Sequence, residues 1–250
     1  MRLLVFIVLF SSSVVSAQVV NIESLRRPSD STNWIGSASL DISLIKNTSD
    51  IIRIAHKAHV QYNDTINFWL FVNDLNFQKV EENSLVNRGT QHLRYNRRIA
   101  SILKWEAFAQ AQYDAISEID FRGLLGTGPR FKLSTTNDYK FYLGTLAMYE
   151  YEEASASVGN IIERDWRLSA YLSFSLYPTQ TISIISTSYY QPRLDNFSDY
   201  RLSSNTSLLF QILKNLAFKV NFNFFYDEFP VSENVPNTQY ELTNGILYTF

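Results

Sequence analysis

The sequence predicts an all-β chain, a closed antiparallel transmembrane β-barrel of about twelve strands. Three observations predict it. Apolar and polar residues alternate with a period of two from Trp34 onward, and no long segment shows a helical period. The alternating runs exceed ten residues, whereas a soluble strand averages about 5–6 and a bilayer-crossing strand needs about 9–11 at a tilt near 45°. The connections alternate between short and long, as they do when tight turns lie on one side of a membrane and loops on the other.

The first run sets Trp34, Gly36, Ala38, Leu40, Ile42 and Leu44 against Ser37, Ser39, Asp41 and Ser43. The second sets Ile52, Ile54, Ala58, Val60 and Tyr62 against Arg53, Lys57, His59 and Gln61. Trp105, Ala107, Ala109, Ala111 and Tyr113 then oppose Glu106, Gln110, Gln112 and Asp114. Trp166, Leu168, Ala170, Leu172, Phe174 and Leu176 oppose Arg167, Ser169, Ser173 and Ser175. In the clearest run, Leu216, Phe218, Val220, Phe222, Phe224 and Tyr226 oppose Lys219, Asn221, Asn223 and Asp227. Successive strand residues face opposite sides, so each run has a greasy face and a polar one.

Strands are expected over 33–46, 50–62, 66–80, 89–98, 102–116, 120–134, 139–153, 161–176, 181–191, 199–212, 216–228 and 238–250. Ten to fourteen strands fit the same pattern. Long polar connections are expected at 81–88, 154–160, 192–198 and 229–237, and short ones at 63–65, 135–138, 177–180 and 213–215. The first and third outer connections, around 46–49 and 117–119, look short. In the last run Tyr240, Leu242, Ile246, Tyr248 and Phe250 share one parity, and Glu241, Thr243, Gly245 and Thr249 the other. An aromatic-rich strand with Phe last resembles the signal that Gram-negative barrel-assembly machinery recognises. That machinery and outer-membrane lipid are the expected partners.

The start of the chain agrees. Met1-Arg2 precedes the unbroken apolar run Leu3–Phe10, and Val15-Ser16-Ala17 is small enough for signal peptidase. Residues 1–17 are read as a signal peptide cleaved before Gln18, because eight apolar residues fall short of the ~20 that a spanning helix needs. Residues 18–32 carry no pattern and read as a periplasmic lead-in, leaving 33–250 for the barrel.

Composition bounds function. With 22 basic and 24 acidic residues and a net charge of −2, nothing favours nucleic acid. The absence of cysteine removes disulfides, lipoprotein acylation and thiol chemistry. Aromatics make up 15% of residues, high for a soluble domain. Mean hydropathy is only −0.12, as expected when lipid-facing and lumen-facing residues alternate. A soluble sandwich with an aromatic core is the competing architecture, and strand length argues against it.

Outward aromatics near strand ends, Trp34, Tyr62, Trp105, Tyr113, Trp166, Tyr226, Tyr240 and Tyr248, fit interfacial girdles. The inward parity supplies candidate lumen-lining residues of both signs: Asp41, Arg53, Lys57, Glu106, Arg167, Arg201, Lys219 and Asp227. Arg130, Lys132, Lys140, Glu150 and Glu241 join them, although the alternation over 120–134 and 139–153 is less regular. An unpaired buried charge is costly, so these groups must pair across the lumen or meet water. A plug and a narrow pore both satisfy that condition.

No catalytic, cofactor or metal site is expected. His56 and His59 are three apart and point to opposite faces of one strand, and His92 lies elsewhere. Gly126-Thr127-Gly128 is followed by Pro129 and no helix, so it is not a phosphate loop. Gly123, Gly126, Gly128 and Gly144, inside predicted strands, mark a bend, a bulge or close backbone approach. Some outer-membrane barrels are lipases, but no Gly-x-Ser-x-Gly elbow is present here.

The second half carries an ordered set of short elements. These are Tyr113-Asp114, Phe121-Arg122-Gly123, Gly126-Thr127-Gly128-Pro129-Arg130, Gly144 with Tyr149-Glu150, and Glu163-Arg164. Tyr190-Gln191-Pro192, Asp199-Tyr200-Arg201-Leu202, Tyr226-Asp227 with Pro230, and Gly245-Ile246-Leu247-Tyr248-Thr249-Phe250 complete the set. Together, over about residues 90–250, they resemble the bacterial outer-membrane barrel family of unknown function numbered 481, the salt-induced outer membrane proteins. Pro129 stands where an aromatic is expected, and Phe229 lengthens the Tyr-Asp…Pro turn. The resemblance implies an outer-membrane barrel and transfers no catalytic residue. The expected function is non-enzymatic: a narrow passive pore for a small solute, or a salt- or stress-induced envelope component. The alternatives are an adhesion barrel using its outer loops and, more remotely, a barrel lipid hydrolase. Sequence leaves the oligomeric state open.

Overall fold

The computed structural model describes residues 33–46, 50–81, 83–134, 136, 138–156, 159–213, 216–231 and 234–248. The expected signal peptide at 1–17, the lead-in at 18–32 and Phe250 lie outside the described residues. The strands are β1 (Trp34–Lys46), β2 (Asp50–Asn63), β3 (Asn67–Val80), β4 (Asn83–Arg98), β5 (Leu103–Asp114) and β6 (Ile119–Lys132). They continue as β7 (Tyr139–Ala156), β8 (Gly159–Thr179), β9 (Ile182–Pro192), β10 (Tyr200–Leu213), β11 (Leu216–Asp227) and β12 (Thr238–Tyr248). All twelve form one antiparallel sheet in chain order, each strand paired with its sequence neighbours. Among the described residues no ladder joins β12 to β1.

The sheet is rolled. In a flat sheet, strands about 4.8 Å apart would put the β11–β12 connection roughly 29 Å from the β5–β6 turn. Instead Asn234 Nδ2 donates to Glu118 Oε1 at 3.2 Å. Tyr171 of β8 likewise reaches Glu106 of β5 at 2.9 Å across the concave face.

Every expected strand is present, but two expected outer loops are corrected. Residues 81–88 are mostly strand: β4 starts at Asn83, and Gln78, Lys79 and Val80 pair with Val86, Ser84 and Asn83. The chain turns at Glu81, which takes φ 54°. Residues 154–160 are likewise mostly strand, because β7 and β8 stay paired to Ala156 and Gly159. The short turn expected at 177–180 also moves, since β8 runs to Thr179. Polar side chains suggested loops at these places, yet the ladder is made by backbone groups, which pair whatever the side chains carry.

The outward face holds two aromatic rows. Trp34 meets Tyr62 at 4.9 Å between ring centres and Trp69 meets Tyr95 at 4.3 Å, with Tyr139 and Phe141 on the same side of the sheet. At the opposite strand ends Phe121 meets Tyr151, Tyr149 meets Trp166, Tyr190 meets Tyr200, and Tyr200 meets Tyr226. Trp105 and Tyr113 on β5 belong to opposite rows. Their eight-residue separation spans roughly 27 Å along the strand, the scale of the ~25 Å apolar band of a membrane barrel.

Candidate functional site

The concave face of β4–β11 buries charge in two networks separated by an apolar layer. The first is built where His92, Arg94 and Asn96 alternate inward along β4, opposite Glu106 and Gln110 of β5. Arg94 donates to Glu106 Oε1 at 2.6 Å, and Asn96 Nδ2 to Oε2 at 2.7 Å. Tyr171 Oη donates to the same Oε2 at 2.9 Å and accepts from Arg130 at 3.0 Å. The Arg130 guanidinium also stacks over Tyr142 at 4.1 Å. Arg94 Nε donates to His92 Nε2 at 3.2 Å, so the Nδ1–Gln110 Oε1 bond at 2.9 Å places the proton on Nδ1.

The second network lies toward the odd-numbered connections, at the ends of β6, β7, β8, β10 and β11. Glu150 is its hub: Oε1 accepts from Arg122 and from Arg201, and Oε2 sits 2.9 Å from Arg167 Nε. Arg201 continues to Glu152 at 3.2 Å and Asp227 at 2.6 Å. Arg167 continues to Asp199 at 3.1 Å and to the Gln191 carbonyl at 3.2 Å. Beyond the strand ends Arg193 bridges Asp195 at 2.9 Å and Asp199 at 3.2 Å. Its hydrogen bonds hold the Asp195 carboxyl below its usual range, and Asp195 in turn raises the Arg193 guanidinium. Such charges remain buried only when each is paired and hydrogen-bonded.

Between the networks Phe108, Leu124, Leu146, Met148, Tyr171 and Tyr189 form one buried cluster. Gly144 makes room for it, because a Cβ there would collide with the Tyr171 ring. This half of the interior is filled rather than open.

The expected lumen residues divide into two groups. Glu106, Arg167, Arg201 and Asp227 are buried within the networks. Asp41, Arg53, Lys57 and Lys219 keep the inward parity but are exposed, and Lys57 lies 3.4 Å from the half-buried Asp74. Of the further candidates, Arg130 and Glu150 are buried, Lys132 and Glu241 half-buried, and Lys140 exposed. The terminal-strand residues Tyr240, Leu242 and Ile246 are 64%, 60% and 74% exposed on the outward face. β12 ends at Tyr248, whose side chain, like Phe250, lies outside the described residues.

Arg94, Arg122, Glu152, Asp165 and Asp199 were not among the expected inward residues. The signal for Arg94 was present, since His92, Arg94 and Asn96 alternate with Leu93 and Tyr95. Among the described residues, no group of three or more His, Cys, Asp or Glu side chains could hold a metal ion.

Comparison with known proteins follows the fold. A sequence profile described as "Protein of unknown function, DUF481" matches residues 37–250. A NanC porin structure superposes with a TM-score of 0.50 at 8% identity, covering 87% of this chain and 99% of that one. The translocator domain of the autotransporter NalP from Neisseria meningitidis gives a TM-score of 0.46 at 10% identity, covering 88% and 90%. Comparison with curated proteins gives no match. The first superposition shows a likeness of fold to an outer-membrane barrel.

Proposed function

The chain belongs to the DUF481 family, and from that premise we propose a non-enzymatic protein of the outer membrane, exported by its N-terminal segment. In the membrane β12 pairs with β1 and closes the barrel, since lipid leaves no partner for an open strand edge. Within it a narrow passive water path follows the β1–β12 seam, beside the filled half.

One observation carries this reading: the inner face is unevenly accessible. From β5 to β8 inward residues are buried and cross-linked by ion pairs, whereas Asp41, Arg53 and Lys57 on one flank and Lys219 on the other remain exposed. Asn205, Asn221 and Asn223 add uncharged polar lining near Lys219. A passage lined by both charge signs suits small hydrated solutes, with weak selectivity.

Planar-bilayer recording tests it. Discrete conductance steps are expected, and Lys57→Glu with Lys219→Glu should shift reversal potentials toward cation preference. Silent bilayers with correctly folded protein would overturn the pore. They would favour the second reading, an interaction barrel, for which the exposed Leu194, Phe197 and Phe229 in the outer loops supply apolar contact surface.

A further inference from the structure

The outward face carries a feature that neither the ion networks nor the water path uses. A groove of about 370 Å3 lies across β4–β7. Its floor is Ala109, Ala111 and Gly123, where the neighbouring outward positions carry large side chains. Strand register explains its shape, because its outward side chains fall on two adjacent cross-strand rows, with the strand segments of the inward-facing His92, Gln110 and Leu124 between them. In the lower row Phe71 pairs with Leu93, Leu93 with Ala109, Ala109 with Leu125, and Leu125 with Tyr149. In the upper row Gln91 pairs with Ala111, Ala111 with Gly123, Gly123 with Tyr151, and Tyr151 with Arg164.

The rows differ in chemistry. The lower is apolar save for the Tyr149 hydroxyl and lies toward mid-membrane. The upper reaches the aromatic row at the strand ends through Tyr151, and it finishes on an exposed Arg164 whose guanidinium lies 5.3 Å from the Tyr151 ring centre. Gln91, also exposed, offers an amide at the other end. A greasy slot with a cation at headgroup depth, one strand beyond its lining and against the Tyr151 ring at its edge, has the polarity of a single lipid.

We propose that this groove binds one phosphorylated, acylated lipid of the surrounding leaflet, its chain over Ala109, Ala111 and Gly123 and its phosphate on Arg164. Burial from water cannot select such a lipid, since the bilayer is already apolar. Selection comes from close packing and from the charge-assisted hydrogen bond between guanidinium and phosphate. The inference rests on the membrane reading above.

The test uses full-length protein folded in detergent, with folding checked by heat-modifiable migration. Native mass spectrometry then compares phosphatidylglycerol with phosphatidylcholine, whose phosphate is neutralised by its own ammonium. The wild type should retain one phosphatidylglycerol in preference. Arg164→Ala should reduce that retention roughly tenfold, the scale of one charge-assisted hydrogen bond. Ala111→Phe should fill the slot and abolish the adduct with either lipid, whereas Ser204→Phe, outside the groove, should leave it intact. Equal retention of both lipids by the wild type, or an unchanged adduct in folded Arg164→Ala and Ala111→Phe, overturns the proposal. So does a protein dimer that Ala111→Phe disrupts, which would give the groove to a second copy. A chain that folds without detergent sinks the membrane reading too, while a heat-modifiable barrel lacking the adduct sinks only this inference.

Discussion

At Glu150 three arginines converge on one buried carboxylate. Removing its charge leaves guanidinium groups buried without their counter-ion, a change that typically costs about 3–5 kcal/mol. Glu150→Gln should therefore lower the urea-unfolding midpoint in detergent sharply. Lys46→Ala, which breaks an exposed pair with Asp50, should change stability by no more than ~1 kcal/mol. Asp64 acts differently, capping the β2–β3 turn by accepting backbone N–H bonds from Asn67 at 2.5 Å and Ile66 at 2.7 Å. Those bonds, the Asn67 one foremost, hold its carboxyl below the ordinary 3.8. The stability it adds is complete above that value and is lost as pH falls through the lowered one. Asp64→Ala should thus unfold earlier than wild type at pH 7, and the two melting curves should converge in strong acid. Parity alone placed Glu106, Arg167, Arg201 and Asp227 on the inner face. Which charges would be paired was not legible, because Arg201 meets Glu150 across 51 residues and two intervening strands.

Among the elements, the long alternating strands were legible because an apolar outward face and a polar inward one impose a strict period of two. Their ends were not, as β4 and β7 show: beyond the apolar outward band both faces carry polar residues and the alternation fades. Glycine inside strands was read as marking a bend, a bulge or close backbone approach, and at Gly128 it is close approach. A Cβ there would strike the Thr145 carbonyl and lie 2.7 Å from Leu146 Cα, both backbone atoms that cannot rotate aside. Gly128→Ala should therefore strain the β6–β7 ladder by about 1–3 kcal/mol, seen as a lower unfolding midpoint. Gly245→Ala in β12, with nothing within 4 Å, is the matched control and should be near neutral.

For the molecule as a whole, strand count and antiparallel order followed from hairpin rhythm, since short connections force sequence neighbours to pair. The expected closure has no β12–β1 ladder among the described residues, and its register was not legible, because β1 and β12 are distant in sequence and no alternation pattern specifies their mutual register. The chain contains no cysteine, so paired substitutions can report the seam cleanly. With Leu40→Cys on β1, one position in a cysteine series along Tyr240–Ile246 should crosslink in the folded protein, as a gel shift reversed by reductant. A series with no crosslink would leave the sheet open. The meander also bears on maturation. Each hairpin needs only its own two strands, but the charge web needs β6, β7, β8, β10 and β11 together, and the Asn234–Glu118 contact spans 116 residues. Until the later strands arrive these arginines and carboxylates stay hydrated, so expulsion of water from the interior is a late and concerted event on the way to the mature protein.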